Sequence, residues 1–132
     1  METLKPESIN SFLKRFSEAH DGVIHSIQLF YSSCPPLKAQ VNIEVMDVEN
    51  WVSGEDIHWA GLTLIIDDVI DYIWVESNQL TNVVIYELGI GFIDDIYYLD
   101  FSNERDADTA EGFRKSKGLI SGRKVSWEAT PL

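Results

Sequence analysis

Five aspartates in two short groups are the first residues of the chain whose type and spacing could carry chemistry. Asp67, Asp68 and Asp71 form one group, and Asp94 and Asp95 form the other. Clustered carboxylates suit a hard cation such as Ca²⁺ or Mg²⁺. Neither group has the D-x-[DN]-x-[DN]-G spacing with which one loop wraps calcium, and adjacent aspartates are ordinary turn formers. The sequence therefore predicts turns at both places, without a metal or any other cofactor.

The histidines and the single cysteine form no catalytic constellation either. His20, His25 and His58 show neither the H-E-x-x-H motif nor a pair at helical spacing, so they do not assemble a zinc site. Cys34 stands beside two prolines, with no neighbouring base to activate its thiol. The motifs G-x-S-x-G, G-x-G-x-x-G and the P-loop are missing from the sequence. We therefore expect a protein that is not an enzyme.

The acidic residues of the chain are concentrated in its middle. The formal net charge is −12, and no lysine or arginine lies between Lys38 and Arg105, a stretch that holds 14 acids. Phosphate backbones and anionic lipids are repelled by such a charge, so we expect neither nucleic acid nor a membrane surface as the partner. A cationic protein fits it, because complementary potentials speed encounter and reject wrong partners.

Tryptophans close to acids are the candidate anchors for such a partner. Trp51 precedes an acidic pair in a polar loop, and Trp74 lies between Asp71 and Glu76. An exposed indole offers a large rigid contact area at low entropic cost, whereas burial in the core is the alternative for each ring. The predicted partner-binding residues are Trp51, Glu55, Asp56, Asp67, Asp68, Asp71, Trp74, Glu76, Asp94 and Asp95.

The elements that must position these residues follow from the hydrophobic period. Helical spacing relates Ile9, Phe12, Leu13 and Phe16, and Gly22 follows as a helix stop. Beyond it the period changes to that of strands, with its clearest alternation at 37–45. The predicted strands cover 23–31, 37–45, 58–66, 69–76, 83–93, 96–101 and 124–128, and 102–118 is predicted as a loop or marginal helix.

Closely spaced strands joined by short polar turns favour an antiparallel meander over a parallel sheet. We therefore predict an α+β, mostly β fold, in which an N-terminal helix packs on about six or seven strands that form a sandwich or an open barrel. At 132 residues the whole chain, 1–132, is expected to be a single domain. A lone cysteine and the absence of a signal-like N-terminus predict a cytoplasmic location.

The order of these segments resembles that of a known group of proteins. A short helix, then AHDGVIHSIQLFY, a proline turn, LKAQVNIEV and LTLIIDDVIDYIWVE span roughly residues 16–101. This order is similar to that of small uncharacterised bacterial β domains grouped with immunity proteins of polymorphic toxin systems. The resemblance implies a non-enzymatic bacterial protein that sequesters a toxin, and it supplies no catalytic residues; the acidic charge of the chain favours a basic toxin.

Three alternatives remain open from the sequence. A small-molecule-binding β-barrel would enclose a cavity of a few hundred Å³ lined by tryptophan and tyrosine. An enzyme would need a cleft with two or more carboxylates of strongly raised pKa. A self-associating homodimer would dock one copy's basic segment on the acidic sheet of the other. That basic segment consists of Arg114, Lys115, Lys117, Arg123 and Lys124.

Overall fold

The computed structural model describes residues 1–31, 37–75 and 83–132. It confirms the predicted fold class: the chain is mostly β, with a short N-terminal helix and two antiparallel sheets that do not close into a barrel. Cys34 and the predicted proline turn lie outside the described residues, as does Glu76. Among the described residues, no helix is long and apolar enough to span a membrane.

The N-terminal helix covers the sheet as its spacing predicts. Phe12 and Phe16 are buried, and both rings lie edge-on to the indole of Trp127. Their centroids are 5.3 and 5.6 Å, respectively, from the indole centroid. The hydroxyl of Tyr97 donates to the carbonyl of Leu4 at 2.8 Å, which fixes the chain just before the helix. The helical elements here are a 3₁₀ turn at Pro6–Ser8, helix α1 at Ile9–Arg15 and a second 3₁₀ turn at Ser17–Ala19.

The strands divide between two sheets. In chain order, the described strands are β1 (Glu2–Thr3), β2 (Val23–Phe30), β3 (Lys38–Asp47), β4 (His58–Asp67), β5 (Asp71–Trp74), β6 (Val83–Val84), β7 (Gly89–Ile93), β8 (Ile96–Asp100), β9 (Gly118–Gly122) and β10 (Lys124–Pro131). One sheet has the order β1-β10-β4-β3-β2-β6 and the other β5-β9-β8-β7. Every neighbouring pair is antiparallel. The runs β2-β3-β4 and β7-β8-β9 are meanders, whereas β10 returns to pair with β4.

The alternation along β3 gives this strand one buried and one wetter face, as predicted. Ala39, Val41, Ile43 and Val45 are buried, and the residues between them are partly exposed. On the wetter face, the side-chain amide of Asn42 donates to the hydroxyl of Ser26 at 2.8 Å. This sheet therefore contributes its inner face to the core and carries hydrogen-bonded polar side chains on the other.

Several strand predictions differ from the structure; β1 is not among the predicted strands, and β5 covers only Asp71–Trp74 of the predicted 69–76. The predicted strand at 83–93 is divided into β6 and β7. The division occurs because Ile85 exchanges backbone hydrogen bonds with Asp21 and Gly22, which lie just before β2. Strand β9 is not among the predicted strands either: it begins at the last residue of the predicted loop, Gly118, and covers residues to which no element is assigned from the sequence, and it is buried along its whole length. Strand β10 extends to Pro131, beyond the predicted 124–128.

A bent ribbon connects the two sheets. Strands β4 and β10 pair up to the register Asp67 with Lys124, and β5 and β9 continue the pairing from Asp71 with Ser121. Gly122 lies at the bend, where a Cβ would stand 2.5 Å from Ile66 Cγ2 and 2.6 Å from the carbonyl oxygen of Asp67. Glycine is therefore required here by close approach of the chains.

The loop between β8 and β9 is organised around a buried carboxylate. Asp100 is fully buried and accepts hydrogen bonds from the hydroxyl of Ser116 at 2.6 Å and the backbone N–H of Arg105 at 3.1 Å. It also accepts from the backbone N–H and hydroxyl of Ser102, and it pairs with the Arg105 guanidinium. Within this loop lies the four-residue helix α2 (Ala110–Phe113), where a loop or marginal helix is predicted.

We expect Asp100→Asn to lower the free energy of unfolding by about 2–4 kcal/mol, because it removes the charge that several donors in a buried site require. Equilibrium denaturation in urea measures this loss. The matched control is Asp95→Asn, at an exposed turn position that asparagine tolerates, with an expected change within about 0.5 kcal/mol. Equal stabilities of the two variants would contradict the assigned role of Asp100.

Candidate functional site

The connection between β3 and β4 holds Trp51 in a fixed, exposed position. Its indole N–H donates to the carbonyl of Glu55 at 3.0 Å, and its backbone N–H donates to the carbonyl of Val48 at 3.1 Å. The backbone N–H of Val48 in turn donates to the carbonyl of Arg15. Trp51 keeps 39% of its surface exposed. Three predicted partner-binding residues, Trp51, Glu55 and Asp56, are thus brought together in this connection.

Exposed apolar residues surround this connection at the same end of the sheet. Trp59 is 40% exposed, and its carbonyl accepts a hydrogen bond from the backbone N–H of Leu132. Val52, Ile57 and Leu132 are exposed as well. We name this area the hairpin-end surface, and it consists of Trp51, Val52, Glu55, Asp56, Ile57, Trp59 and Leu132.

Trp59 is a member of this surface that the list of predicted site residues omits. The alternation in β4 points Leu62, Leu64 and Ile66 into the core, and all three are buried. By the same period of two, Trp59 belongs to the opposite face. The strand pattern therefore contained the signal that this indole is exposed.

The predicted residues near the bent ribbon have partners within the molecule. Asp67 ends β4 and pairs with Lys38 at 4.0 Å. Asp71 pairs with Arg114 at 3.2 Å and accepts a hydrogen bond from the buried hydroxyl of Ser121 at 2.8 Å. Asp71 therefore has a structural part in joining β5 to β9. Asp68 adopts the left-handed conformation, with φ of 54°, which fits the predicted turn.

Asp94 and Asp95 form the predicted second turn. They are the two residues between β7 and β8, with φ values of 50° and 64°. Positive φ at both central positions is typical of the type I′ hairpin turn, which Asp tolerates. Both side chains are exposed, at the end of the second sheet.

Trp74 occupies the position of a core residue. Its ring lies edge-on to that of Phe101, with centroids 6.1 Å apart, and it packs partly buried against the core. The core alternative that the sequence left open for this tryptophan matches its environment. Its predicted neighbour in the site, Glu76, lies outside the described residues.

Four of the predicted acidic residues are divided between the two ends of strand β4 in the first sheet. Glu55 and Asp56 precede the first residue of β4. Asp67 is the last residue of this strand, and Asp68 follows it. Ten residues of strand separate these ends by about 33 Å. Glu55 and Asp56 have no ion-pair partner in the parts of the chain that the structure describes, unlike Asp67 and Asp71. The hairpin-end surface is therefore the better candidate for contact with a cation.

An ion pair anchors the base of this surface to helix α1. Arg15 donates two hydrogen bonds to the carboxylate of Asp47, at 3.1 and 3.0 Å, and lies over the rings of Phe16 and Trp127. Burial alone would raise the pKa of Asp47, but the Arg15 hydrogen bonds and the backbone N–H of Glu49 outweigh it and lower that pKa. The ion pair therefore stabilises the fold while the Asp47 carboxylate is charged.

Two open grooves mark the described surface. One, of about 570 Å³, lies between α1, β1 and β10 and includes Phe12, Arg15 and Trp127. The other, of about 350 Å³, follows β7 and includes Glu18 and Glu87. A hydrogen bond with Glu87 is the main cause that raises the pKa of Glu18, whose side chain is exposed. Within the described ranges, no group of three or more histidine, cysteine, aspartate or glutamate residues is arranged to hold a metal ion.

The basic segment required for a homodimer is partly used within the chain. Arg114 pairs with Asp71, and Lys117 pairs with Glu104 at 3.7 Å. Both cations therefore already face carboxylates of their own molecule.

In the comparisons with known proteins, no family model, curated protein or solved structure matches this chain.

We expect Asp47→Asn to lower the free energy of unfolding near pH 7 by about 1–3 kcal/mol, because the Arg15 hydrogen bonds lose their charged acceptor. A lowered carboxyl pKa contributes stability above its unfolded value of about 3.9, and that stability is lost as pH falls through the folded pKa. The wild type and the variant should therefore converge in acid, as measured by denaturation at a series of pH values.

The matched control for this prediction is Asp56→Asn, which changes a nearby exposed acid with no ion pair in the described structure. It should follow the wild type within about 0.5 kcal/mol at every pH. A constant difference between the wild type and Asp47→Asn across the acid range would refute the proposed linkage.

Proposed function

We propose that the protein is a non-enzymatic module that binds a cationic protein partner through the hairpin-end surface. One observation carries this proposal: two indoles and three aliphatic side chains are exposed beside two acids that have no ion-pair partner among the described residues, and Trp51 is held there by its own hydrogen bonds. Exposed apolar residues gathered in one place, rather than scattered singly, are typical of interaction sites.

The chemistry of this surface fits a protein partner. Tryptophan is enriched among the residues that dominate binding energy, because its ring buries a large area against a partner pocket. Fixing Trp51 before binding reduces the entropy lost on association. Glu55 and Asp56 add attraction for lysine or arginine at the rim, where charges mainly determine the association rate and the choice of partner.

The net charge of −12 supports a basic protein as the partner. Nucleases hold phosphate and are basic around their active sites, so an acidic protein can cover such a site. Together with the resemblance described from the sequence, this favours an immunity protein that sequesters a basic toxin in the bacterial cytoplasm.

The test uses the products of the genes adjacent to the gene of this protein. Each product is expressed alone and with the protein, and growth and binding are measured. We expect one basic product to arrest growth, to be neutralised by the protein and to bind it more weakly as salt increases. If no adjacent product binds the protein or arrests growth, the immunity proposal is wrong.

Variants of the two exposed indoles locate the contact. Trp51→Ala and Trp59→Ala should each weaken binding of that product at least about tenfold, as expected when a binding anchor is truncated. Tyr31→Ala is the matched control, since Tyr31 is 78% exposed and follows β2 at the opposite end of the sheet. Denaturation confirms that each variant folds. Equal affinities of all three variants would exclude the hairpin-end surface as the contact.

A further inference from the structure

Strand β7 is an edge strand, and the outward backbone groups of Ile90 and Phe92 have no hydrogen-bond partner among the described residues. It pairs only with β8 among the described residues, and the turn at Asp94 and Asp95 makes Ile93 and Ile96 the first hydrogen-bonded pair. Hydrogen bonding alternates along such a ladder, so the N–H and C=O groups of Ile90 and Phe92 point away from β8. Leu88 has the same orientation, and its N–H donates outward to the carbonyl of Glu18 at 2.7 Å.

The free edge of β7 lies in the groove of about 350 Å³. On one side the groove is lined by Leu13 and Glu18, from α1 and the turn after it. On the other side lie Arg105 and Phe113, which cover Gly89 and Gly91 so closely that a Cβ on either glycine would clash with them. The groove thus leaves the hydrogen-bonding edge accessible between two walls, and all five residues of β7 line it.

Acidic residues stand at both ends of this edge. Glu18 and Glu87 lie at its beginning, and the exposed Asp94 and Asp95 lie at its end. The guanidinium of Arg105 is already engaged by Asp100 and by Asp108, at 2.7 Å. Glu18 and Glu87 line the same groove, and Glu87 raises the pKa of Glu18 by a hydrogen bond and by its negative charge, so a cation between the two carboxylates would offset their mutual repulsion.

We propose that β7 accepts an extended segment of a partner protein as an additional strand, with basic residues on both sides of a short uncharged centre. Main-chain hydrogen bonds to Ile90 and Phe92 supply the pairing, as in other cases of strand addition. Glu87 and Asp94 are seven positions apart, about 23 Å of extended chain, which sets the spacing of the basic residues.

Charge distinguishes this occupant from a second copy of the chain. Antiparallel pairing of two β7 strands would bring Glu87 of one molecule towards Asp94 and Asp95 of the other. Like charges opposite one another destabilise strand pairing. The same acids that repel another copy attract lysines at the ends of a foreign strand.

The test uses the full chain and a synthetic peptide with capped ends, in which two lysines stand on each side of Val-Thr-Val-Thr-Val. We expect the peptide to bind and to slow hydrogen exchange of the Ile90 and Phe92 amides at least about tenfold at saturation, because both become hydrogen-bonded. One control peptide has both threonines replaced by proline, which removes donors, and another has glutamate in place of lysine. Neither should protect these amides.

Protein variants separate this site from the hairpin-end surface. The double variant Glu18→Gln, Glu87→Gln should weaken binding of the lysine peptide about tenfold and reduce its salt dependence. Glu128→Gln removes an exposed acid of β10, away from this groove, and as a control should leave binding unchanged. Trp51→Ala should also leave peptide binding unchanged, so this proposal and the proposed function can fail independently.

The proposal is wrong if Ile90 and Phe92 exchange at the same rate with and without saturating peptide. It is also wrong if the proline peptide binds as tightly as the original, since attraction would then come from charge alone. Binding that depends on Trp51 but not on Glu18 and Glu87 would assign the peptide to the hairpin-end surface instead.

Discussion

The arrangement of the two sheets depends on the close approach of chains at Gly122. At this residue the chain passes from β9 in one sheet to β10 in the other, beside the passage from β4 to β5. Because Ile66 and the backbone of Asp67 fill the space that a side chain would need, the bend is tight. Ile120 and Val125, on either side of it, therefore both reach the same core. Without this bend β10 could not both pair with β4 and pack against helix α1.

The internal ion pairs determine which acids remain available at the surface. The sequence places its cations outside the acidic middle of the chain, but folding returns several of them to it: Arg15 reaches Asp47, Lys38 reaches Asp67, and Arg105 reaches Asp100. Acids near the bent ribbon and in the β8–β9 loop are therefore paired with cations of the same molecule. Glu55, Asp56, Asp94 and Asp95 are among the acids that have no ion-pair partner in the described structure.

The sequence predicts those elements whose hydrophobic period repeats over several turns or residue pairs. Helix α1 and strand β3 have such repeats, and both are found as expected. Strand β9, with the sequence GLISG, has no alternation to detect, because both of its faces are buried. Its existence depends on partners distant in sequence. The candidate site could be predicted only in part for the same reason: Trp51 shares a loop with its acids, whereas the burial of Trp74 depends on Phe101, which follows β8.

Long-range pairing also explains why the free edge of β7 could not be read from the sequence. The register between β7 and β8 determines which backbone groups of β7 point outward. The hydrogen bond from Ile85 to Gly22 determines where β7 begins. A free edge is a risk for any β protein, since a second copy can add to it. Acids at the two ends of β7 oppose that addition without closing the edge. The same repulsion between copies leaves the edge open to a strand of opposite charge, so protection against self-association and selection of a partner can come from the same four side chains.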